Sequence, residues 1–312
     1  MNTLGSYVSS QNFFQLPFRG GSPSIFRKIV FDENASDEEI INTLANSNLG
    51  RIQATKEPTD EEINILNEVF RINPDIAFRH YNIFAPEADI SYLLKLTNLK
   101  SLSLELHSEI KNIEVVNQLD LEYLAFGCFS LKDYSFLRNS SPSIKGLTID
   151  LENKTYKMDI NDITHITSLE SLSIRNVKKG LDKLSEFKNL KELYLRAVDI
   201  KDYGFLRNMN VRKIYLGCQN VAYFNTFGIN ESIEEVSLWM NRNLTDLTFL
   251  LQFPNLKRII ISSQKKVETI PDLTGLSKLE EIYFLERDTE EVKKYCNPNV
   301  KVKSFYNPVD IS

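Results

Sequence analysis

Apolar residues recur along this chain at a spacing that neither a single helix nor a single strand explains. Leu99, Leu102 and Leu104 have the form L-x-x-L-x-L, which returns at Leu121/Leu124/Phe126, Ile144/Leu147/Ile149, Leu169/Leu172/Ile174 and Leu190/Leu193/Leu195. It continues at Val211/Ile214/Leu216, Ile233/Val236/Leu238, Leu256/Ile259/Ile261 and Leu279/Ile282/Phe284. The central positions 102, 124, 147, 172, 193, 214, 236, 259 and 282 lie 21 to 25 residues apart. A period of this length marks a stacked architecture in which each unit adds one short strand and buries its apolar face against its neighbours. Side chains alternate along a strand, so the residues one before, one after and three after each centre face outward.

Extended toward the N-terminus, the same spacing fits Phe78/Tyr81/Ile83, Leu49/Ile52/Ala54 and Phe26/Ile29/Phe31, predicting strands centred on 81, 52 and 29. Two helix starts stand between them. Ser36-Asp-Glu-Glu39 and Thr59-Asp-Glu-Glu62 are capping boxes, each followed by apolar residues (Ile40, Ile41 and Leu44; Ile63, Leu66, Val69 and Phe70). A nucleotide-binding βαβ unit would need a glycine-rich turn after its first strand, and Phe31-Asp-Glu-Asn-Ala35 has none. Residues 26–95 therefore read as N-terminal βα units capping the stack, and 96–285 as the repeats proper. Residues 286–312 read as a C-terminal cap, with a short helix from Asp288-Thr-Glu-Glu291 and a closing strand between Asn299 and Phe305. Residues 1–25, with Phe13, Phe14 and Phe18 among polar residues and glycines, read as a tail.

The return half of several units carries a second signal, apolar-x-Asp-apolar. It occurs at Leu131-Lys-Asp133-Tyr134, Ile160-Asn-Asp162-Ile163, Ile200-Lys-Asp202-Tyr203, Leu244-Thr-Asp246-Leu247 and Ile270-Pro-Asp272-Leu273. Leu137, Ile166, Leu206, Leu250 and Leu276 follow four residues after each Asp. An Asp so placed can accept hydrogen bonds from backbone N–H groups freed at the start of a short turn. Together with Leu96-Thr-Asn-Leu99, the pattern resembles the leucine-rich repeats of the bacterial internalins. One column departs from that family. Five residues after the centre, where the family places Asn, stand His107, Glu152, Val177, Val198 and Gln264, and only Asn241 conforms.

The repeat and the resemblance together imply an α/β leucine-rich-repeat solenoid. Its expected form is a curved parallel sheet of about 12 strands, with short helices and turns on the convex side. Strands about 4.8 Å apart would make a face roughly 55 Å long. The resemblance further implies that the concave strand face recognises another protein, and it suggests a bacterial source.

Composition narrows the chemistry. The 312 residues carry 37 Lys+Arg against 42 Asp+Glu, a formal charge of −5. They lack the basic excess that neutralises phosphates, so nucleic acid is not an expected partner. No segment offers the roughly 18 uncharged apolar residues of a membrane helix. Met1–Gly21 lacks the basic start and continuous apolar core of a secretory leader. Three cysteines exclude a disulfide-stapled scaffold, and a cytoplasmic protein with reduced thiols, monomeric when free, is expected. Cys128 and Cys218 hold equivalent places four units apart, roughly 19 Å at the strand spacing. A disulfide needs Cα atoms within about 7 Å.

His80, His107 and His165 fall in unrelated units with no Cys or carboxylate at metal-ligand spacing. His80 and His107 are expected at or beside the exposed strand face, and His165 on a return turn. G-x-S-x-G, H-E-x-x-H and P-loop motifs do not occur. No catalytic residue, cofactor or metal site is expected, and the repeats leave no room for an attached catalytic domain.

The outward columns supply the candidate site. One residue before the centres they read Glu192, Lys213, Glu235, Arg258 and Glu281, alternating charges able to pair between adjacent strands. One residue after the centres stand Tyr194, Tyr215, Ser237, Ile260 and Tyr283. Three after stand Arg175, Arg196, Gly217 and Trp239, the only tryptophan, with Arg196 and Arg258 expected to frame it. Tyr, Trp and Arg dominate binding energy at interfaces, and here they gather on the C-terminal half of the face. The other half is small and plain (Ser101, Ser103, Ala125, Gly127, Gly146, Thr148, Ser171 and Ser173), a trough able to seat a partner element, with Tyr123 and Phe84 as exceptions. Candidate contact residues are Tyr123, Arg175, Tyr194, Arg196, Tyr215, Trp239, Arg258 and Tyr283. The expected function is a non-enzymatic protein-binding module. The alternatives are an immunity or antitoxin-like inhibitor masking a toxin, a scaffold, or a delivered effector. A ubiquitin-ligase-type enzyme fits less well.

Overall fold

The computed structural model describes residues 13–19, 29, 31–82, 84–153, 155–198, 200, 202–224 and 228–304. Thirteen strands, in chain order, make one parallel sheet, as a leucine-rich-repeat fold requires. The chain divides into two compact units between Ser171 and Leu172.

The first unit holds β1 (Phe13–Gln15), β2 (Arg51–Ala54), β3 (Ala77–Asn82), β4 (Glu87–Asp89), β5 (Ser101–Leu106), β6 (Glu109–Lys111), β7 (Tyr123–Phe126) and β8 (Gly146–Asp150). Strands β4 and β6 pair separately as a two-stranded sheet. The register aligns Phe14, Ile52, Phe78, Leu102, Leu124 and Leu147, none of them more than 2% exposed. Burying this row, and the matching row two residues on, is what ties each unit to the next.

Both helix starts form as their caps dictate. Ser36 Oγ accepts from the Glu39 N–H at the head of α1 (Asp37–Ala45). Thr59 and Glu62 exchange bonds at 3.2 and 2.9 Å at the head of α2 (Asp60–Ile72). The two helices pack side by side, burying Ile40 and Leu44 of one and Ile63, Leu66, Val69 and Phe70 of the other.

Three expectations in this unit are corrected. The edge strand is β1, inside the segment read as a tail, and not a strand centred on Ile29; Phe26 lies outside the described residues. Phe14, Leu16 and Phe18 alternate inward; the Phe14 ring stacks on Phe18 at 5.7 Å and meets Phe31 tilted, also at 5.7 Å. Second, β3 is centred on Phe78 rather than Tyr81, and Ile83 lies outside the described residues. Third, His80 is 2% exposed instead of facing solvent. It pairs with Leu104, so it occupies the last apolar place of its motif, and that polar residue hid the register from the leucine spacing. Its Nδ1 lies 2.8 Å from the Tyr92 hydroxyl, and Nε2 has no partner among the described residues. Burial pushes the imidazole pKa down to about 4.

The second unit holds β9 (Ser171–Arg175), β10 (Glu192–Arg196), β11 (Lys213–Gly217), β12 (Glu235–Trp239), β13 (Arg258–Ser262), β14 (Glu281–Phe284) and β15 (Lys301–Lys303). Leu193, Ile214, Val236, Ile259, Ile282 and Val302 align as its central row. The closing strand thus has its register: Val302 beside Ile282. It follows α3 (Thr289–Lys293), which Asp288 caps through the N–H groups of Glu290 and Glu291. Phe305 lies outside the described residues.

Beyond β3 many of the described returns contain a short 3-10 turn, and the Asp signal works as a cap. Asp133, Asp202, Asp246 and Asp272 each accept the N–H two residues on, at 2.7 to 3.0 Å. Asp162 is the exception. Asp159 caps that turn, and buried Asp162 instead accepts from Arg138 Nε at 2.7 Å.

Candidate binding face

On the second unit the outward columns run in register across β10 to β14. Tyr194, Tyr215, Ser237, Ile260 and Tyr283 stand side by side, and so do Arg196, Gly217, Trp239 and Ser262. The Tyr194 and Tyr215 rings pack at 5.9 Å. The Arg196 guanidinium lies over the Trp239 ring, 4.8 Å from its centre, although a whole strand separates the two residues. Gly217 makes this arrangement possible. A Cβ there would stand 2.6 Å from Tyr215 Cε1 and 2.9 Å from its hydroxyl, so the missing side chain is the space the Tyr215 ring occupies. Half-buried in this packing, Tyr215 has its hydroxyl pKa pushed up by burial. Gly217→Ala is expected to displace the Tyr215 ring and shift Trp239 emission. The clash falls on a surface ring, so the urea midpoint should move by the equivalent of less than about 1 kcal/mol.

The strand ends beneath this cluster are built in an unusual way. Asn176, Ala197, Cys218, Met240 and Ser263, each directly after its strand, all adopt the left-handed region at φ 50 to 58°. For residues other than Gly this costs roughly 1–2 kcal/mol apiece. The turn is held from the next strand: the Ala197, Cys218 and Met240 N–H groups donate to the Gly217, Trp239 and Ser262 carbonyls at 2.8 to 3.1 Å. Its effect is to swing the following residue inward. Val177, Val198, Gln219, Asn241 and Gln264 form a column no more than 4% exposed.

This is the column expected to lack its Asn ladder, and the structure corrects that expectation in part. Asn241 Oδ1 accepts the Gln219 N–H at 2.7 Å, and its Nδ2 donates to the Leu216 carbonyl at 2.8 Å. Gln219 in turn donates to the Leu195 and Gly217 carbonyls, both at 3.0 Å. Gln219 escaped the sequence reading because only Asn was sought. Its amide, one methylene longer, performs the same role. Both amides brace the backbone that carries Arg196, Gly217 and Trp239.

The charged column pairs within itself as expected. Lys213 lies 3.4 Å from Glu192, Arg258 lies 2.8 Å from Glu281 and 3.9 Å from Glu235, and Lys303 lies 3.8 Å from Glu281. Arg258 does not frame Trp239. It belongs to the column before the centres, turns to Glu281, and lies 5.8 Å from the Tyr283 ring. Tyr283 is also approached by Lys303, 5.1 Å from its ring and 3.2 Å from its hydroxyl. The structure thus brings Tyr194, Arg196, Tyr215 and Trp239 together, sets Arg258 and Tyr283 on the next two strands, β13 and β14, and places Arg175 at the end of β9.

Tyr123 belongs to the first unit, half-buried on β7 among the small residues expected there. That unit's face also holds a polar group hidden by the misread register. Arg79 donates to Gln53 at 2.6 Å and to Glu105 at 2.8 Å, and lies over the Tyr81 ring at 4.5 Å. Among the described residues, no cluster of three His, Cys, Asp or Glu side chains is arranged to hold a metal, and no helix is long and apolar enough to cross a membrane. Cys128, Cys218 and Cys296 are free thiols.

No protein-family model matches the sequence, and no curated protein matches it. Solved structures do. An internalin (inlF) from Listeria monocytogenes superposes with a TM-score of 0.52 at 15% identity, over 95% of this chain and 88% of that one. An internalin C2 from the same organism gives 0.43 at 18% identity, over 70% and 81%. A leucine-rich-repeat protein from Leptospira interrogans gives 0.35 at 12% identity, over 85% and 91%. With its repeat period, its single parallel sheet and its Asp-capped returns, the chain has the leucine-rich-repeat fold in the form found in internalins.

Proposed function

We propose that the chain is a non-enzymatic protein-binding module that takes its partner on the strand face of the second unit, around Tyr194, Arg196, Tyr215 and Trp239. One observation carries this reading. Two tyrosines, the only tryptophan and a stacked arginine converge on three adjacent outward strands, over a glycine that makes room for them. Their side chains lie outside the leucine core, so packing of that core does not call for them. Rigid aromatic area and a pre-positioned guanidinium are what interface hot spots are made of.

The partner is to be captured by affinity purification and its affinity then measured against variants. Tyr215→Ala and Trp239→Ala should each lose about 2 kcal/mol, roughly thirtyfold, with the fold intact. Ser103→Ala and Thr148→Ala on the plain face should change little. Binding that survives both aromatic replacements and fails with the controls would put the site in the small-residue trough of the first unit.

A further inference from the structure

The outward face of the second unit has a charge opposite to that of the chain. Its three columns hold six cations: Arg175, Arg196, Lys213, Arg258, Lys301 and Lys303. Against these stand three carboxylates, Glu192, Glu235 and Glu281. The sum is +3, on a chain of formal charge −5. The carboxylates are already matched, Glu192 by Lys213, Glu235 by Arg258, and Glu281 by Arg258 and Lys303. Lys301 stands on the same margin as these carboxylates, beside Glu281, and Arg196 stands on the opposite one, in the column three after the centres.

Arg196 differs from Arg258 in what it touches. Its guanidinium rests on Trp239, and among the described residues no carboxylate or carbonyl accepts its N–H donors. A guanidinium stacked flat on a ring keeps the planar fork that fits a carboxylate, and little of its side-chain freedom is left to lose on binding.

We propose that this face recognises an acidic segment of a partner protein, with a partner carboxylate seated on Arg196 beside the Tyr194, Tyr215 and Trp239 cluster. The proposal rests on the face being the binding surface. A continuous phosphate chain suits it less well, because on the other margin Lys213 and Arg258 are engaged by Glu192, Glu235 and Glu281 and offer no unbroken row of cations. A peptide with isolated acids between apolar residues meets no such barrier.

The test is selection of a random-peptide phage library on the full chain, with the Tyr215→Ala, Trp239→Ala double variant as background. Enriched peptides should carry Asp or Glu next to apolar or aromatic residues. As synthetic peptides they should weaken with added salt, and lose about tenfold or more in affinity to Arg196→Gln, whose stem still covers Trp239. Arg196→Lys, which keeps the charge without the fork, should fall between. Peptides that depend on the aromatic pair but lack acids, or that bind Arg196→Gln as they bind the wild type, overturn the acidic-segment assignment and leave the face reading standing. Enrichment equal to that of the double variant, or none, overturns both. A single-stranded oligonucleotide that binds more tightly than any selected peptide, and loses that binding in Arg196→Gln, assigns the arginine to nucleic acid instead.

Discussion

Replacing Asn241 by alanine is expected to lower the stability of the second unit by about 2–4 kcal/mol, far more than a surface substitution. Asn241 is completely buried. Its amide closes two backbone valences at once, accepting from Gln219 N–H at 2.7 Å and donating to the Leu216 carbonyl at 2.8 Å. Alanine leaves both groups without partners where water does not reach, and an orphaned buried backbone group costs roughly 1–3 kcal/mol. The left-handed Met240 before it, at φ 50°, keeps its N–H bond to the Ser262 carbonyl but no longer swings a bonded amide inward. Gln264→Ala is the matched control. That amide makes one local bond, to the Ser262 carbonyl two residues back, and its Oε1 has no partner among the described residues, so its loss should cost less than about 1 kcal/mol. Urea unfolding followed through Trp239, two residues from Asn241 and the only tryptophan, reports both. Equal midpoint shifts in the two variants would show that the column is held by packing rather than by its amides.

Acidification should weaken the first unit through His80. Its folded pKa of about 4 lies below the 6.5 of a free imidazole because the buried site excludes the charged form. Between these values the unfolded chain binds the proton and the folded chain does not. Stability is therefore full above about pH 6.5 and falls as pH drops, by about 2 kcal/mol at pH 5 and about 3 kcal/mol near pH 4. Native-state hydrogen exchange at the β3 amides, compared at pH 7 and pH 5 after correction for intrinsic rates, reads the loss where it arises. His80→Leu restores the apolar residue that the motif calls for and removes the titration. Its protection should be nearly level over that range, even if its value at pH 7 is lower because the Tyr92 hydroxyl has lost its partner. A wild type as flat as the variant would show that the imidazole is charged, or hydrated, in the folded protein.

The two corrected registers have different causes. The leucine spacing is readable where each inward place is filled by a residue too apolar to stand elsewhere, as in the run from Leu102 to Ile282. In β3 the last inward place is His80, and in β1 the centre is Phe14, cut off from its neighbour strand by α1. The alternation of Phe14, Leu16 and Phe18 was a usable signal for β1, whereas only the pairing with Leu104 could place His80. At the candidate site the columns of Tyr194, Tyr215, Arg196 and Trp239 followed from period-2 alternation alone. The reach of each side chain did not. Arg258 turned to Glu281, and Arg196 crossed a strand to Trp239.

From the sequence alone came the period of the stack, the identity of its core row, the helix caps, the Asp-capped returns and the list of residues that face outward. These are decided within one unit, by hydrophobic spacing and by local hydrogen bonds to the backbone. Tertiary structure decided which outward residues meet. It paired the charged column within itself, made Gly217 the space for Tyr215, and let Gln219 and Asn241 share a ladder across neighbouring strands. Gly217 and Tyr215 share one strand, but the other outcomes depend on residues more than twenty positions apart in the chain that strand pairing sets about 4.8 Å from each other. At that distance, side-chain length, ring orientation and the absence of a single Cβ determine which contacts form.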